Sequence, residues 1–400
     1  MVQHSVDRIV TSHTGSLPRP RAIIDLVKCE ERGEPFDRAE LDRLLTPAIA
    51  DVVKRQVDAG LDIVSDGEFS KASYGTYIQQ RLTGYGEADP SKLGLDRNIE
   101  FEAFPEYYER TRSRRGLATR RLLGCVGPVA LRDREPIDRD IANLKNAAAA
   151  HKPAGGGFMT AASPGVIARF QPNLYYDTLQ SYRDAIAAAM RIEYETIVAA
   201  GFQLQIDCPD LASSRVSVYG HLSESEFVHE CELSIAALND ALVNVPADNV
   251  RLHVCWGNYE GPHVHDIELE KILPAVLKAK ACILSVEGAN PRHGHEWEVF
   301  SRIKLSDDKV LMPGVIDSTT NFVEHPQLVA QRICRYADVV GRERVIAGVD
   351  CGFETFAGDP NVDERIVYRK FASLAEGARI ATEKLWPQAG RGGSSRQAGA

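Results

Sequence analysis

Arg251-Leu252-His253-Val254-Cys255-Trp256-Gly257 is a short, largely apolar stretch that ends at a glycine, as a buried strand does where it runs into a loop. In an extended strand the side chains at positions i and i+2 leave from the same face, about 7 Å apart along the backbone. His253 and Cys255 are therefore predicted to point together at the carboxyl end of this strand. An imidazole and a thiolate suit zinc, but a zinc site needs further ligands from elsewhere in the chain.

The sequence on both sides of this stretch alternates between short apolar strands and amphipathic helices. Further strands are predicted at 6–12, 61–64, 122–129, 157–162, 202–207, 281–286, 310–316 and 344–349. Helices are predicted at 37–60, 177–200, 224–244, 266–278, 325–340 and 362–384. This alternation predicts an α/β fold with a parallel sheet, and the number of units favours a (β/α)8 TIM barrel over an open sheet. In such a barrel, the chemistry is expected on the loops at the carboxyl ends of the strands.

One barrel domain accounts for most of the chain. Residues 1–389 are predicted to form it, with an excursion at about 84–120 that is rich in Gly, Asp, Glu, Arg and Tyr and lacks sustained periodicity. The tail 390–400 is too polar and glycine-rich to pack, which predicts disorder. No GxGxxG turn follows the first strand and no GxxxxGK[ST] motif is present, so nucleotide-binding folds are disfavoured.

Composition and charge restrict the partners. The 400 residues carry a net charge of -9, and this acidity argues against a nucleic-acid or membrane-surface partner. No apolar run approaches the roughly 20 residues of a membrane span, and the N-terminus lacks the pattern of a secretory signal. The eight scattered cysteines are expected to be reduced thiols. A cytoplasmic protein acting on small molecules is expected, and the sequence leaves open whether it forms a homo-oligomer.

Two more metal-compatible residues follow predicted strands near the His-x-Cys pair. Glu287 ends one of these strands and Cys351 another, so His253, Cys255, Glu287 and Cys351 would supply the four ligands of a tetrahedral zinc site. Each of these residues taken alone is more often a core thiol, a buried imidazole or a surface carboxylate than a ligand. Two H-x-H pairs, formed by His263, His265, His293 and His295, are compatible with a second metal site or with loop histidines near a substrate.

The residues of this set, in order along nearly the whole chain, resemble those of the cobalamin-independent methionine synthase family. The resemblance includes the zinc-ligand pattern together with Thr14-Gly15-Ser16-Leu17-Pro18, Asp66-Gly67-Glu68, Gly127-Pro128-Val129, Gln205-Ile206-Asp207 and Pro313-Gly314-Val315. The family's second, N-terminal barrel has no counterpart in 400 residues. The chain is therefore similar to the short single-barrel members, which include the epoxyalkane:coenzyme M transferases, in the methionine synthase/uroporphyrinogen decarboxylase type of barrel.

The resemblance implies a zinc-dependent thiol S-alkyltransferase, with Zn2+ as cofactor and with a small-molecule thiol and an alkyl donor as substrates. Methylation of homocysteine or a related thiol is the activity expected first. The resemblance places Thr14, Ser16, Glu68 and Asp207 where the family holds homocysteine, and carboxylates are suited to pair with its ammonium group. His263, His265 and Asp317 are the candidate catalytic residues, since the reaction needs a proton donor where an alkoxide forms.

Three positions depart from the family pattern on the side that would accept the alkyl donor. Arg134 stands at the pterin-stacking tryptophan, Ser213 at a folate-binding glutamate, and Thr319 at the histidine proton donor. These departures argue against methyltetrahydrofolate as donor and leave the donor open. Alternatives are epoxide opening by coenzyme M, with Arg19 or Arg292 for its sulfonate, a zinc hydrolase, and a metal-free barrel like uroporphyrinogen decarboxylase.

Overall fold

A computed structural model describes residues 5–93, 98–112 and 123–387. Its main feature is a parallel sheet of seven strands in the order β1-β9-β8-β7-β6-β5-β4, beside a separate two-stranded pair, β2-β3. The strands are β1 (Val10–Thr11), β2 (Tyr85–Glu87), β3 (Leu123–Cys125), β4 (Phe158–Ala162), β5 (Gln203–Asp207), β6 (Val250–Val254), β7 (Ile283–Val286), β8 (Val310–Ile316) and β9 (Ile346–Val349). All residues of the seven sheet strands are buried, as parallel strands covered on both faces must be.

The extended segment 61–64 joins the two edges of this sheet. The Ile63 N–H donates to the Thr11 carbonyl oxygen at 3.1 Å, and Val64 pairs in parallel with Gly157 at the entrance to β4. The sheet therefore curls round on itself, and the predicted (β/α)8 barrel is confirmed. The segment 61–64 makes isolated hydrogen bonds to its neighbours and no continuous ladder. Closing a barrel tilts and staggers the strands, so short neighbouring strands overlap over few residues.

The structure has fourteen α-helices among the described residues; six of them agree closely with the predicted positions, and eight were not predicted. The helices are α1 (Arg21–Arg32), α2 (Arg38–Asp58), α3 (Ile78–Arg81), α4 (Pro90–Leu93), α5 (Ile99–Ala103), α6 (Pro105–Arg112), α7 (Glu135–His151), α8 (Pro164–Phe170), α9 (Leu179–Ala199), α10 (Glu224–Ala241), α11 (Leu269–Val276), α12 (Val299–Arg302), α13 (Pro326–Val340) and α14 (Glu364–Leu385). Side chains satisfy free backbone N–H groups at several starts, with capping boxes at Thr178 of α9 and Ser223 of α10.

One strand prediction was wrong in its placement. The apolar run at 122–129 was expected to be a barrel strand, but β3 pairs antiparallel with β2 outside the barrel. On its other side β3 is joined to the loop before α9, where the Cys125 N–H donates to the Pro172 carbonyl oxygen. An apolar run indicates that a segment is buried, but it does not specify which strand pairs with it. Here the pairing strand is β2, from the excursion.

The described part of the predicted excursion covers the loop that follows β6. Tyr107 of α6 donates its hydroxyl to the Glu260 carbonyl oxygen at 2.5 Å, and the His265 N–H donates to Glu100 Oε1 of α5 at 2.9 Å. The division into domains stays a prediction, and the predicted disordered tail 390–400 lies outside the described residues. Among the helices described, none combines the length and the apolar character needed to cross a bilayer.

Candidate metal centre and substrate site

β6 delivers the first two site residues to the carboxyl-terminal rim of the barrel. His253 lies inside β6 opposite Asp207 of β5 and Ser285 of β7, and Cys255 follows the strand directly. Both side chains are buried. Gly257 then turns the chain with a φ of 130°, where a Cβ atom would lie 2.6 Å from the ring of Tyr259, so glycine fits this turn and larger residues do not.

Four potential ligand side chains meet at this point. Cys351 Sγ lies 3.2 Å from Cys255 Sγ, 3.6 Å from His253 Nε2 and 3.7 Å from Glu287 Oε1. Zinc bonds of about 2.0–2.3 Å in a tetrahedral shell would separate the ligand atoms by about 3.3–3.8 Å. Donor atoms of the two cysteines and His253 also lie within 4.8 Å of one another. The arrangement fits zinc, and the role of the four residues as ligands stays a prediction.

The electrostatics of the cluster also fit a cation. Burial raises the pKa of the Glu287 carboxyl and of the Cys351 thiol well above their ordinary values, and the charge of Cys255 adds to both shifts. The hydrogen bond that Cys255 accepts from Cys351 lowers the pKa of Cys255. An ionised Cys255 therefore opposes the ionisation of the neighbouring Glu287 and Cys351. A divalent cation removes that opposition, because it binds the deprotonated forms.

Asp350 fixes the two ligand-bearing loops against each other. Its Oδ1 accepts the N–H groups of Gly288 and Ala289 at 2.9 Å, and its Oδ2 accepts the Asn290 N–H at 2.8 Å. Asn290 in turn donates its side-chain amide to Glu287 Oε2 at 2.7 Å. Sequence reasoning missed both residues, and the only signal was that Asp350 precedes Cys351 and Asn290 follows Glu287 by three residues.

Replacing Asp350 by alanine is expected to weaken zinc binding about 10- to 100-fold, since the Glu287 loop loses its anchor. Competition with a chromophoric chelator measures this change. Asp350→Asn, which retains one acceptor oxygen, should lose less affinity, and the exposed Asp338→Ala should bind zinc like the wild type. Wild-type affinity in Asp350→Ala would show that the Glu287 loop is positioned without this carboxylate.

Two buried carboxylates occupy the neighbouring wall of the site. Glu68 Oε1 accepts the Thr160 hydroxyl at 2.9 Å, whereas Glu68 Oε2 is buried without a hydrogen-bond partner. Asp207 Oδ1 accepts the Gln205 amide at 2.8 Å. Burial raises the pKa of Asp207 to about 7, and the charge of Glu68 contributes to the shift. Two close carboxylates with an unused acceptor form a suitable site for a cationic group.

The cations near this wall contact oxygen atoms of the protein, although Arg19 Nη2 is buried without a hydrogen-bond partner. Arg19 is buried, and its Nη1 donates to Glu354 Oε2 at 3.0 Å while its Nη2 lies 3.9 Å from Glu68 Oε2. Lys71 Nζ donates to the carbonyl and hydroxyl oxygens of Thr160. Arg292, the other residue considered for a sulfonate, is exposed on the surface. Carboxylates therefore balance the charge of Arg19.

Thr14 and Ser16 lie on the loop after β1, which packs against the loop carrying Cys351. The Thr14 hydroxyl donates to the Val349 carbonyl oxygen at 2.9 Å, and the Phe353 N–H donates to the Ser16 carbonyl oxygen at 2.8 Å. A Cβ atom on Gly352 would lie 2.0 Å from Ser16 Oγ, so this approach needs glycine. The structure places both residues beside the candidate metal centre, and their role in substrate binding stays a prediction.

The three candidate catalytic residues differ in their surroundings. His263 is largely buried and contacts Asp266, whereas the side chain of His265 is exposed. Asp317 uses both carboxylate oxygens within its own turn, accepting the hydroxyls of Thr319 and Thr320. Among the described residues, the His/Cys/Asp/Glu donor atoms that all lie within 4.8 Å of one another are those of His253, Cys255 and Cys351. Glu287 is outside this grouping, with Oε1 3.7 Å from Cys351 Sγ, and the H-x-H pairs are outside it too.

The three residues that depart from the family pattern also have local roles. Arg134 is exposed at the start of α7 and donates to Asp138 at 3.0 Å. Ser213 donates its hydroxyl to the Pro209 carbonyl oxygen at 3.0 Å and accepts from Arg169. Thr319 donates to Asp317 at 2.8 Å. None of the three residues offers the aromatic ring, the carboxylate or the imidazole that the family pattern has at its position.

Comparison with known proteins confirms the resemblance stated from the sequence. Residues 176–366 match the family described as "Cobalamin-independent synthase, Catalytic domain". A methionine synthase of Saccharolobus solfataricus is 23% identical over 383 residues, covering 94% of this chain and 95% of its own. A methionine synthase of Sulfolobus acidocaldarius is 21% identical over 383 residues, covering 94% of this chain and 93% of its own.

Two solved structures share the fold. The B12-independent methionine synthase of a Shewanella species, in complex with selenomethionine, gives a TM-score of 0.70 at 21% identity, covering 95% of this chain and 99% of that one. A putative vitamin-B12-independent methionine synthase from Listeria monocytogenes gives a TM-score of 0.65 at 18% identity, covering 93% and 98%. At this identity the likeness establishes the barrel fold, so the chemistry has to be argued from the site.

Proposed function

Residues 176–366 match the catalytic domain of the cobalamin-independent synthase family, and on this premise we propose that the protein is a zinc-dependent thiol S-alkyltransferase. Its substrate is proposed to be homocysteine or a related thiol, which it methylates. The observation that carries the proposal is the meeting of His253, Cys255, Glu287 and Cys351 at one point of the barrel rim. Two thiols, an imidazole and a carboxylate form a donor set typical of zinc.

Zinc bound there would lower the pKa of a substrate thiol and keep its sulfur nucleophilic. The chain itself supplies position and charge. Trp256 and Asn290 donate hydrogen bonds to the two oxygens of Glu287, which fixes this carboxylate at the site. In the alkyl transfer, the substrate thiol first gives up its proton to water, and its sulfur then forms a bond to the donor carbon. The leaving group departs with the electron pair of the bond that breaks.

The carboxylates of Glu68 and Asp207 are proposed to hold the ammonium group of an amino-acid thiol. Both are buried on the wall beside the ligands, and Glu68 Oε2 has no hydrogen-bond partner. A charge-assisted hydrogen bond to this oxygen would satisfy it. The pairing also orients the substrate, because one end is held here while its sulfur reaches the ligand cluster.

The other reactions considered are less well supported. A zinc hydrolase and a thiol transferase would each need one of the four protein donors to be displaced, but a thiol ionises far more readily than water, so an anionic donor set suits the thiol better. Epoxide opening by coenzyme M needs a cation for the sulfonate, and Arg19 lies between Glu68 and Glu354. In a metal-free decarboxylase, the convergence of four ligand-type side chains would have no purpose.

A thiol-by-donor activity screen on zinc-loaded protein tests the proposal. Homocysteine is expected to be methylated by at least one donor, and a thiol lacking the amino group should react more slowly. Methyltetrahydrofolate triglutamate is expected to bind weakly in isothermal titration, because Arg134 and Ser213 replace the family's folate contacts. Turnover confined to coenzyme M with an epoxide, or hydrolysis without thioether formation, would contradict the proposal.

A further inference from the structure

The loops after β6 and β7 hold four ionisable side chains to which the alkyl transfer described above gives no role. His263 Nδ1 lies 2.8 Å from Asp266 Oδ2, and the same oxygen lies 3.1 Å from His293 Nε2. His293 Nδ1 then lies 2.9 Å from Glu296 Oε2. The side chains of His263, Asp266, His293 and Glu296 are 12%, 2%, 4% and 4% exposed. These four residues, called the imidazole–carboxylate chain here, are almost shielded from water.

The acceptors in this chain determine where its protons are. His263 Nε2 lies 3.0 Å from the Tyr259 carbonyl oxygen, which can only accept, and Nδ1 faces the carboxylate of Asp266. His293 faces a carboxylate at each ring nitrogen. Glu296 Oε1 accepts the Leu269 N–H at 2.7 Å, as an ionised carboxylate does. Both imidazoles therefore donate from both nitrogens, which makes each of them a cation.

The charges around the two rings support this assignment. Burial alone would lower the pKa of His293, but its hydrogen bonds to Asp266 and Glu296 and the charge of Glu287 raise it to about 10. Burial also opposes the charge of His263, and Asp266, the Tyr259 carbonyl and Glu287 outweigh it, so its pKa is raised. The hydrogen bonds from the two histidines lower the pKa of Asp266 against the effect of its burial.

The two rings pack against aromatic residues of the loop that begins at the candidate ligand Cys255. The His293 ring packs 4.4 Å from the ring of Trp256, whose backbone N–H donates to Glu287 Oε1 at 2.7 Å. Asn290 makes a second link: its side-chain oxygen accepts the backbone N–H of His293, and its side-chain amide donates to Glu287 Oε2. The His263 ring stacks 4.3 Å from Tyr259, on the loop that follows Cys255.

We propose that the imidazole–carboxylate chain holds His263 and His293 as fixed cations behind Cys255 and Glu287, where they stabilise the anionic ligand set. Two thiolates and a carboxylate outweigh a divalent cation by one negative charge. The imidazole–carboxylate chain is neutral as a whole, since Asp266 and Glu296 offset the two histidines, so its effect comes from holding the two imidazolium rings against the residues next to the ligands, Trp256 and Tyr259. The two histidines are positioning residues, because they act through the ligand loops. The inference rests on the proposed function only in taking those residues as zinc ligands.

Nitrogen NMR of histidine-labelled protein tests the protonation state without any activity measurement. Both ring nitrogens of His293 are expected to be protonated at pH 8.5, and the signals are assigned by their loss in His293→Gln. Asp266→Asn should convert His293 to an ordinary, neutral imidazole at that pH, because one of its two carboxylate partners is lost. A neutral His293 tautomer in the wild-type protein at pH 8.5 would overturn the proposal, whatever the variants do.

Zinc affinity tests the consequence for the site. His293→Gln is expected to bind zinc about 10- to 100-fold more weakly than the wild type. The matched control is His295→Gln, two residues away and exposed, which should bind like the wild type. Equal affinity of His293→Gln and the wild type would overturn this inference and leave the proposed function intact. Failure of the wild type to bind zinc would instead refute the ligand assignment, and with it the stabilising role proposed for the two histidines.

Discussion

Cys351→Ser is expected to be purified with little zinc and to lose more than about 100-fold in the rate of thiol alkylation. Changes to residues that only support metal ligands commonly cost 10- to 100-fold, and loss of a ligand removes more. Cys351 Sγ lies within 3.7 Å of a donor atom on each of the other three candidate ligands, so its removal opens the centre of the cluster. Metal analysis and the rate of thioether formation give the two readouts.

The barrel of Cys351→Ser should remain folded, because residues at the carboxyl-terminal rim serve function more than stability. Circular dichroism and the melting temperature check this point. Cys334→Ser is the matched control: it changes a half-buried thiol on α13 and should retain zinc and activity. Cys255→Ser should behave like Cys351→Ser. Unchanged zinc in both ligand variants would refute the assignment.

Glu68→Gln is expected to reduce kcat/KM for homocysteine about 10- to 100-fold, which corresponds to the loss of a charged hydrogen bond of about 1.5–3 kcal/mol. The reason is that Glu68 Oε2, which has no hydrogen-bond partner in the protein, would no longer accept from the substrate ammonium as an ionised carboxylate. The measurement compares homocysteine with a thiol of the same length that lacks the amino group. The variant should lose rate with the first and change little with the second.

Controls separate recognition from a general disturbance of the wall. Asp207→Asn should show the same selective loss, since Asp207 is close enough for the charge of Glu68 to raise its pKa, whereas the exposed Glu298→Gln should behave like the wild type. Equal losses with both thiols would show that Glu68 supports the structure of the site through Thr160 and does not recognise the amino group.

The barrel and the ligand cluster could be predicted because both depend on local patterns. Buried parallel strands are continuous apolar runs, and residues at their ends meet at one rim whatever the loops do. That is why His253 and Cys351, 98 positions apart, could be placed together before their distance was known. The prediction of a barrel strand at 122–129 was wrong for the opposite reason. Its partner β2 lies in the excursion, where the alternation of barrel strands and helices does not apply.

The loop residues could not be predicted in the same way. His263 and His293 looked alike as members of H-x-H pairs, but their state depends on Asp266 and Glu296, which the folded loops bring to them. Asp350 is another example. Its carboxylate accepts three backbone N–H groups from a loop that lies 60 to 62 residues away in sequence. Such contacts depend on loop conformation, which periodicity does not describe.

The zinc content of wild-type protein, purified without chelator, tests the central claim most directly. The donor set of His253, Cys255, Glu287 and Cys351 predicts about one zinc per chain, because four ligands form a single tetrahedral site. Less than about 0.2 zinc per chain, with no uptake when zinc is added back, would contradict the ligand assignment and the proposed thiol alkylation that depends on it.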